Sequence, residues 1–239
     1  VSDGIPPFRT AFQPIVDVDT GTTLAQEALV RGPNGEGAAS VLAQITLENR
    51  YRADAALRRG AIATALRLRL PDTPAFLTLN IYPGSISGEF SILTTLAEAE
   101  TMGFPTDRLI FEISETEPVA DIPTLTRDLT ALQRRGVRIA LDDVGTGEAR
   151  LPLMLAWRPD GAKLAREVIM GLDTNAETHA RVTASLAQLA SFGIAPVVEG
   201  IETIGEMKAL RSLGIRAMQG YLFARPGLDR LPDPVVPTG

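Results

Sequence analysis

Residues 121–143, DIPTLTRDLTALQRRGVRIALDD, decide the fold. Asp121 can cap a helix whose apolar positions Leu125, Leu129 and Leu132 recur at helical spacing. Gly136 supplies the left-handed stop, and VRIAL follows as a short apolar strand ending in Asp142 and Asp143. The same phrase recurs downstream. Val182, Leu186 and Leu189 lie on a helix that stops near Gly193 and feeds IAPVV, which ends in Glu199. Thr203 and Glu206 form a capping box for a helix carrying Met207, Leu210 and Leu213, followed by Gly214, IRAM and Gln219.

Upstream segments fit as well. FLTL ends in Asn80, and RLIF ends in Glu112 after a helical stretch over 89–102 and Gly103. AFQPIVDV and TLAQEALV, joined by the turn Asp19-Thr20-Gly21, read as a hairpin. The stretch from Ser40 to Leu70 reads as one long helix with Leu57, Ala61, Ala65 and Leu68 on a stripe. Buried strands alternating with helices predict a parallel sheet, and eight such units predict closure into a barrel. The fold class is therefore α/β, a modified (β/α)8 barrel in which the N-terminal hairpin makes one strand antiparallel. We assign residues 1–8 to a linker, 9–230 to the barrel and 231–239, LPDPVVPTG, to a Pro-rich tail expected to be a loose end.

Composition narrows the chemistry. The chain has 239 residues, 23 Lys+Arg against 29 Asp+Glu, and a net charge of −6. That balance, with no basic run, speaks against a duplex nucleic-acid partner. No cysteine is present, which removes disulfides, thiolate metal sites and cysteine nucleophiles. The single histidine, His179, excludes a multi-histidine site, so any metal must be held by oxygen ligands. No apolar run of about 18 residues predicts a membrane span, and we expect this portion in the cytoplasm. The chain opens on Val1, not Met, which is compatible with an upstream domain.

The strand ends carry the functional signal: Glu27, Asn80, Glu112, Asp142 with Asp143, Lys163, Glu199 and Gln219. In a (β/α)8 barrel the C-terminal strand ends face one mouth, where chemistry is found. One acid at a strand end is most often a helix cap or a solvated loop residue. Seven strands in succession ending in such groups are not explained that way. Five converging carboxylates repel, and divalent cations remedy this, so the pattern predicts a two-metal site. Two hard cations about 3.5–4 Å apart suit phosphodiester hydrolysis. Lys163 adds a fixed positive charge that steers the attacking water or meets developing phosphorane charge. Glu115 and Glu202, three residues beyond Glu112 and Glu199, are either first-turn helix acids or supports for the ligands.

At this point a resemblance is specific. EAL within QEALVRG at 26–32, LNIYP at 79–83, FEISE at 111–115, DDVGTG at 142–147, Lys163, VEGIE at 198–202 and QGYLFARP at 219–226 together resemble the EAL-domain phosphodiesterases. The resemblance runs from about Phe12 to Pro226. It implies a barrel opening with an antiparallel strand that cuts cyclic di-GMP to linear pGpG with two Mg²⁺ or Mn²⁺ ions. Carried over by motif, Glu27, Asn80, Glu112 and Asp142 hold one metal, and Asp142 bridges to a second completed by Asp143 and Glu199. Lys163 and Gln219 position the water, with Glu199 a candidate general base. Arg31 contacts the substrate phosphate, Glu115 braces the loop beginning at Asp142, and Glu202 orients its neighbours. A homodimer through the outer helices and an upstream sensory domain are further implications.

The departures open an alternative. The family loop usually reads close to DDFGTGYSSL and here reads DDVGTGEARL, and the usual KID is KLA, with Ala165 in place of an acid. These changes bear on metal affinity. They leave open a receptor that binds cyclic di-GMP without turnover and signals to a protein partner. An adaptor without nucleotide, and a barrel enzyme in which Lys163 abstracts a proton beside Mg²⁺, fit the acid set less well.

Overall fold

The computed structural model describes residues 4–113, 121–145, 153–154 and 156–238. Among these residues nine strands form one sheet: β1 (Arg9–Asp17), β2 (Thr23–Arg31), β3 (Phe76–Ile81), β4 (Leu109–Ile113), β5 (Arg138–Val144), β6 (Gly161–Leu164), β7 (Ala195–Val198), β8 (Ala217–Met218) and β9 (Gly227–Leu228). Strands β2 to β8 pair in parallel in chain order, and β1 closes the ring by pairing antiparallel with both β2 and β8. The eight-stranded barrel and its antiparallel opening strand are as the sequence predicts. The short β9, which the sequence reading does not anticipate, adds to the edge of β1 outside the ring.

The helices among the described residues are α1 (Ala38–Leu42), α2 (Arg50–Arg67), α3 (Ile92–Met102), α4 (Ile122–Gln133), α5 (Arg166–Ile169), α6 (Ala176–Ser191) and α7 (Ile204–Ser212). The N-caps predicted for α4 and α7 are present. The Asp121 side chain accepts from the Thr124 N–H at 3.0 Å, and Leu125, Leu129 and Leu132 are buried. Thr203 and Glu206 form the reciprocal box that opens α7. One expectation is corrected: the helix expected over Ser40–Leu70 is broken into α1 and α2. The Thr46 N–H, which an unbroken helix would direct back to the backbone, goes to Asn49 Oδ1 at 2.9 Å. The Asn49 amide also donates to the Gly4 carbonyl at 2.8 Å.

Strand periodicity positions the site. Leu77, Leu79 and Ile81 of β3, Phe111 and Ile113 of β4, Ile139 and Leu141 of β5, and Leu164 of β6 are buried in the core shared with the helices. The residues of opposite parity, Asn80, Glu112, Asp142 and Lys163, must then point into the barrel. Register keeps them close, since Asn80 lies beside Glu112 and Glu112 beside Ala140. The tail is not loose. Leu231 and Val236 pack on the core and the Val235 N–H donates to the Phe223 carbonyl at 3.1 Å.

Candidate metal and substrate site

Lys163, fully buried, sits at the hub of the barrel mouth. Its Nζ lies 3.2 Å from Glu27 Oε2, 3.4 Å from Glu112 Oε2, 3.0 Å from Asp142 Oδ1 and 3.0 Å from Glu199 Oε2. Four carboxylates from β2, β4, β5 and the end of β7 thus face one ammonium. Glu27 is held further by Gln219 Nε2, which donates at 2.8 Å, and by Asn80 Nδ2 at 3.4 Å.

One positive charge does not balance four negative ones. Burial raises the affinity of Glu112 for a proton, Lys163 opposes it, and Glu27, Asp142 and Glu199 add to it, so its pKa stands well above the carboxylate range. Burial likewise lifts Glu199 to about 8, against Lys163 and with Asp142 and Glu27. Burial alone would strip the Lys163 proton, but Glu112, Glu27, Asp142 and Glu199 outweigh it and raise its pKa. With the four carboxylates around it, Lys163 favours its charged form.

Asp142, Asp143 and Glu199 form a second grouping, offering carboxylate oxygens within 4.8 Å of one another. Consecutive residues of a regular strand point to opposite faces. Here the β5–β6 register shifts between Leu141 and Val144, and Asp143 adopts φ +54°. The bulge re-aims the Asp143 side chain so that both aspartates bring a carboxylate oxygen near Glu199, and Asp is among the few residues that tolerate this left-handed conformation. The sequence reading names the pair without this device. The donor set fits a hard divalent cation: it is all oxygen, over-charged for its single lysine, and bordered by buried Gln219 Oε1, which accepts no hydrogen bond among the described residues. Glu27 and Glu112 face Lys163, with Asn80 beside Glu27, and neither glutamate joins the three-acid group among the described residues.

The remaining candidates lie further out. Arg31 ends β2, and its Nη1 donates to the Val30 carbonyl at 2.7 Å. Glu202 accepts from Arg166 Nη2 at 2.9 Å. Glu115 and loop positions 148–150 lie outside the described residues. A cavity of about 420 Å³ is lined by Asn80, Asp142 and Asp143 together with Leu42, Leu57 and Arg58. The lining also includes a buried Asp54–Arg58 pair, not foreseen from sequence, whose arginine donates to the Phe90 carbonyl and to Thr95 Oγ1. Only the i, i+4 spacing of Asp54 and Arg58 on α2 could have signalled it.

The EAL domain model matches residues 6–226, and the chain belongs to that family. It is similar to a standalone EAL protein of Vibrio cholerae O395 in its c-di-GMP-bound form, at 34% identity and TM-score 0.88 over 95% of both chains. It also resembles the manganese/c-di-GMP complex of Klebsiella pneumoniae BlrP1, at 32% identity and TM-score 0.85 over 93% of this chain and 57% of that one. Among curated relatives, the blue light- and temperature-regulated antirepressor BluF of Escherichia coli K12 is 27% identical over 93% of this chain and 55% of its own length. The cyclic di-GMP phosphodiesterase RocR of Pseudomonas aeruginosa is 28% identical over 69% and 42%. The chain spans about half the length of these two relatives. No helix of the described residues is long and apolar enough to cross a membrane.

Proposed function

We propose that this chain is a divalent-metal-dependent phosphodiesterase that opens cyclic di-GMP to linear pGpG. The observation that carries the reading is the convergence of Glu27, Glu112, Asp142 and Glu199, from four strands, within 3.4 Å of Lys163 Nζ. Likeness to a c-di-GMP-bound EAL protein supports the choice of substrate. Glu27, Asn80, Glu112 and Asp142 would hold one Mg²⁺ or Mn²⁺ ion, and Asp142, Asp143 and Glu199 a second. Bound there, the ions supply Lewis acidity and lower the pKa of water. Lys163 keeps its charge beside the scissile phosphate and offsets the negative charge that builds up in the transition state. Gln219 holds Glu27 through Nε2, leaving Oε1 to orient the incoming water. The cavity beyond Asn80 gives the rest of the dinucleotide room. The reading extends to a cytoplasmic homodimer under an upstream sensory domain, with Arg31 on the substrate phosphate.

A second reading, a receptor that binds cyclic di-GMP without cutting it, is favoured by the likeness to an antirepressor and by Ala165 and the DDVGTGEARL loop. One assay separates them. Incubation with cyclic di-GMP and Mn²⁺, followed by chromatography, yields pGpG if the first holds, and the product vanishes with Glu27→Gln or with chelator. Binding without product supports the receptor, and neither binding nor product refutes both.

A further inference from the structure

Glu199 follows the last residue of a short strand and needs something to fix its direction. Its N–H donates to the Leu164 carbonyl at 3.1 Å and its Oε2 meets Lys163. From another direction Arg166, three residues after Lys163, reaches Gly200 and Glu202 in the segment that follows Glu199. Nη1 donates to the Gly200 carbonyl and Nη2 to Glu202 Oε2 at 2.9 Å. Gly200 has φ +72°, and a Cβ there would overlap the Arg166 Cβ and Cγ, so the arginine stem lies directly on the glycine backbone. Glu206, buried at the start of α7, closes the strap by accepting from the Glu202 and Thr203 N–H groups at 3.0 and 3.2 Å. Its Oε2 lies 3.9 Å from Arg166 Nη1.

The end of β6 thus grips the end of β7 twice, through Lys163 and through Arg166. We propose that Arg166 is a positioning residue that clamps Gly200 and Glu202 and thereby aims the Glu199 carboxylate at Asp142 and Asp143. The inference rests on the metal reading of that site given above. A planar guanidinium fork meets a carbonyl and a carboxylate at once, whereas an ammonium has no such fixed pair of donors. An exposed ion pair adds little to global stability, so the role should appear in metal affinity and not in the melting temperature.

The test compares wild type with Arg166→Met, Arg166→Lys and Glu202→Gln, using Mn²⁺ titration followed by electron paramagnetic resonance, separate kcat and KM for cyclic di-GMP, and thermal melts. Arg211→Met, which removes an exposed arginine paired with Asp19, is the charge control. Arg166→Met should weaken Mn²⁺ binding roughly tenfold or more and lower kcat, with KM and the melting temperature little changed. Arg166→Lys should recover part of the loss, and Arg211→Met should match wild type. Mn²⁺ binding by Arg166→Met within about twofold of wild type overturns the proposal; should that variant fail to fold, unchanged Mn²⁺ affinity in Glu202→Gln overturns it instead. A wild type that binds Mn²⁺ without cutting the dinucleotide sinks the phosphodiesterase reading but leaves the affinity comparison standing. A wild type that binds no Mn²⁺ sinks both.

Discussion

Lys163 Nζ lies 3.0 Å from Glu199 Oε2, across the β6–β7 boundary, and three further carboxylates face the same ammonium. Its charge holds together a set of groups that would otherwise repel. Replacing it by Met should cost the metal-free protein about 3–5 kcal/mol at neutral pH, the usual result of stranding buried charge. The loss should shrink as pH falls and the acids take up protons. Denaturant melts at pH 5 and pH 8 check this; an equal loss at both would contradict it.

The metal-free protein should lose stability as pH rises. Glu199 has a native pKa of about 8 against an ordinary 4.5, raised by burial, and Glu112 shifts in the same direction. Between those values the native state keeps protons that the unfolded chain has released, so unfolding becomes easier toward pH 8. Mn²⁺, which takes the place of those protons, should raise the melting temperature more at pH 8 than at pH 5.5. Scanning calorimetry with chelator and with Mn²⁺ is the measurement, and a metal-free melting temperature that climbs over this range would refute it.

Asp143 has a conformational and a chemical role that two substitutions separate. Asp143→Asn keeps a side chain suited to φ +54° and should fold normally while weakening Mn²⁺ binding. Asp143→Val should show the same weakening and lose about 1–2 kcal/mol more, because a β-branched residue is strained in the left-handed region. Equal stability of the two variants would count against the bulge as the device that aims the pair.

Gly220 follows Gln219, and a Cβ there would run into the Ile201 backbone carbonyl and amide. Backbone cannot move aside as a flexible side chain can, so Gly220→Ala should shift Gln219 off Glu27. Turnover should fall about tenfold or more even where the variant still folds, as single-turnover kinetics and circular dichroism would show.

Much of this was legible in the sequence because it follows from local rules. Their place at the C-terminal ends of successive strands put Asn80, Glu112, Asp142 and Lys163 at one barrel mouth, and the caps at Asp121 and Thr203 set their helices. The antiparallel β1 followed from a hairpin with a tight turn at Gly21. What escaped the sequence depends on distant partners. The break before α2 needs Asn49 to turn its side chain back to Thr46. The strand β9 needs an edge of β1 left unpaired by the short β8. Arg166 reads as one more surface arginine until Gly200 and Glu202 are brought beside it.

The most direct test of the acid cluster as a metal centre is the stoichiometry of Mn²⁺ binding by isothermal titration at pH 8. Wild type should take up two ions per chain, Glu27→Gln should keep only the ion at Asp142, Asp143 and Glu199, and Asp142→Asn should weaken both. No saturable Mn²⁺ uptake by wild type, or uptake indifferent to both substitutions, would contradict the account.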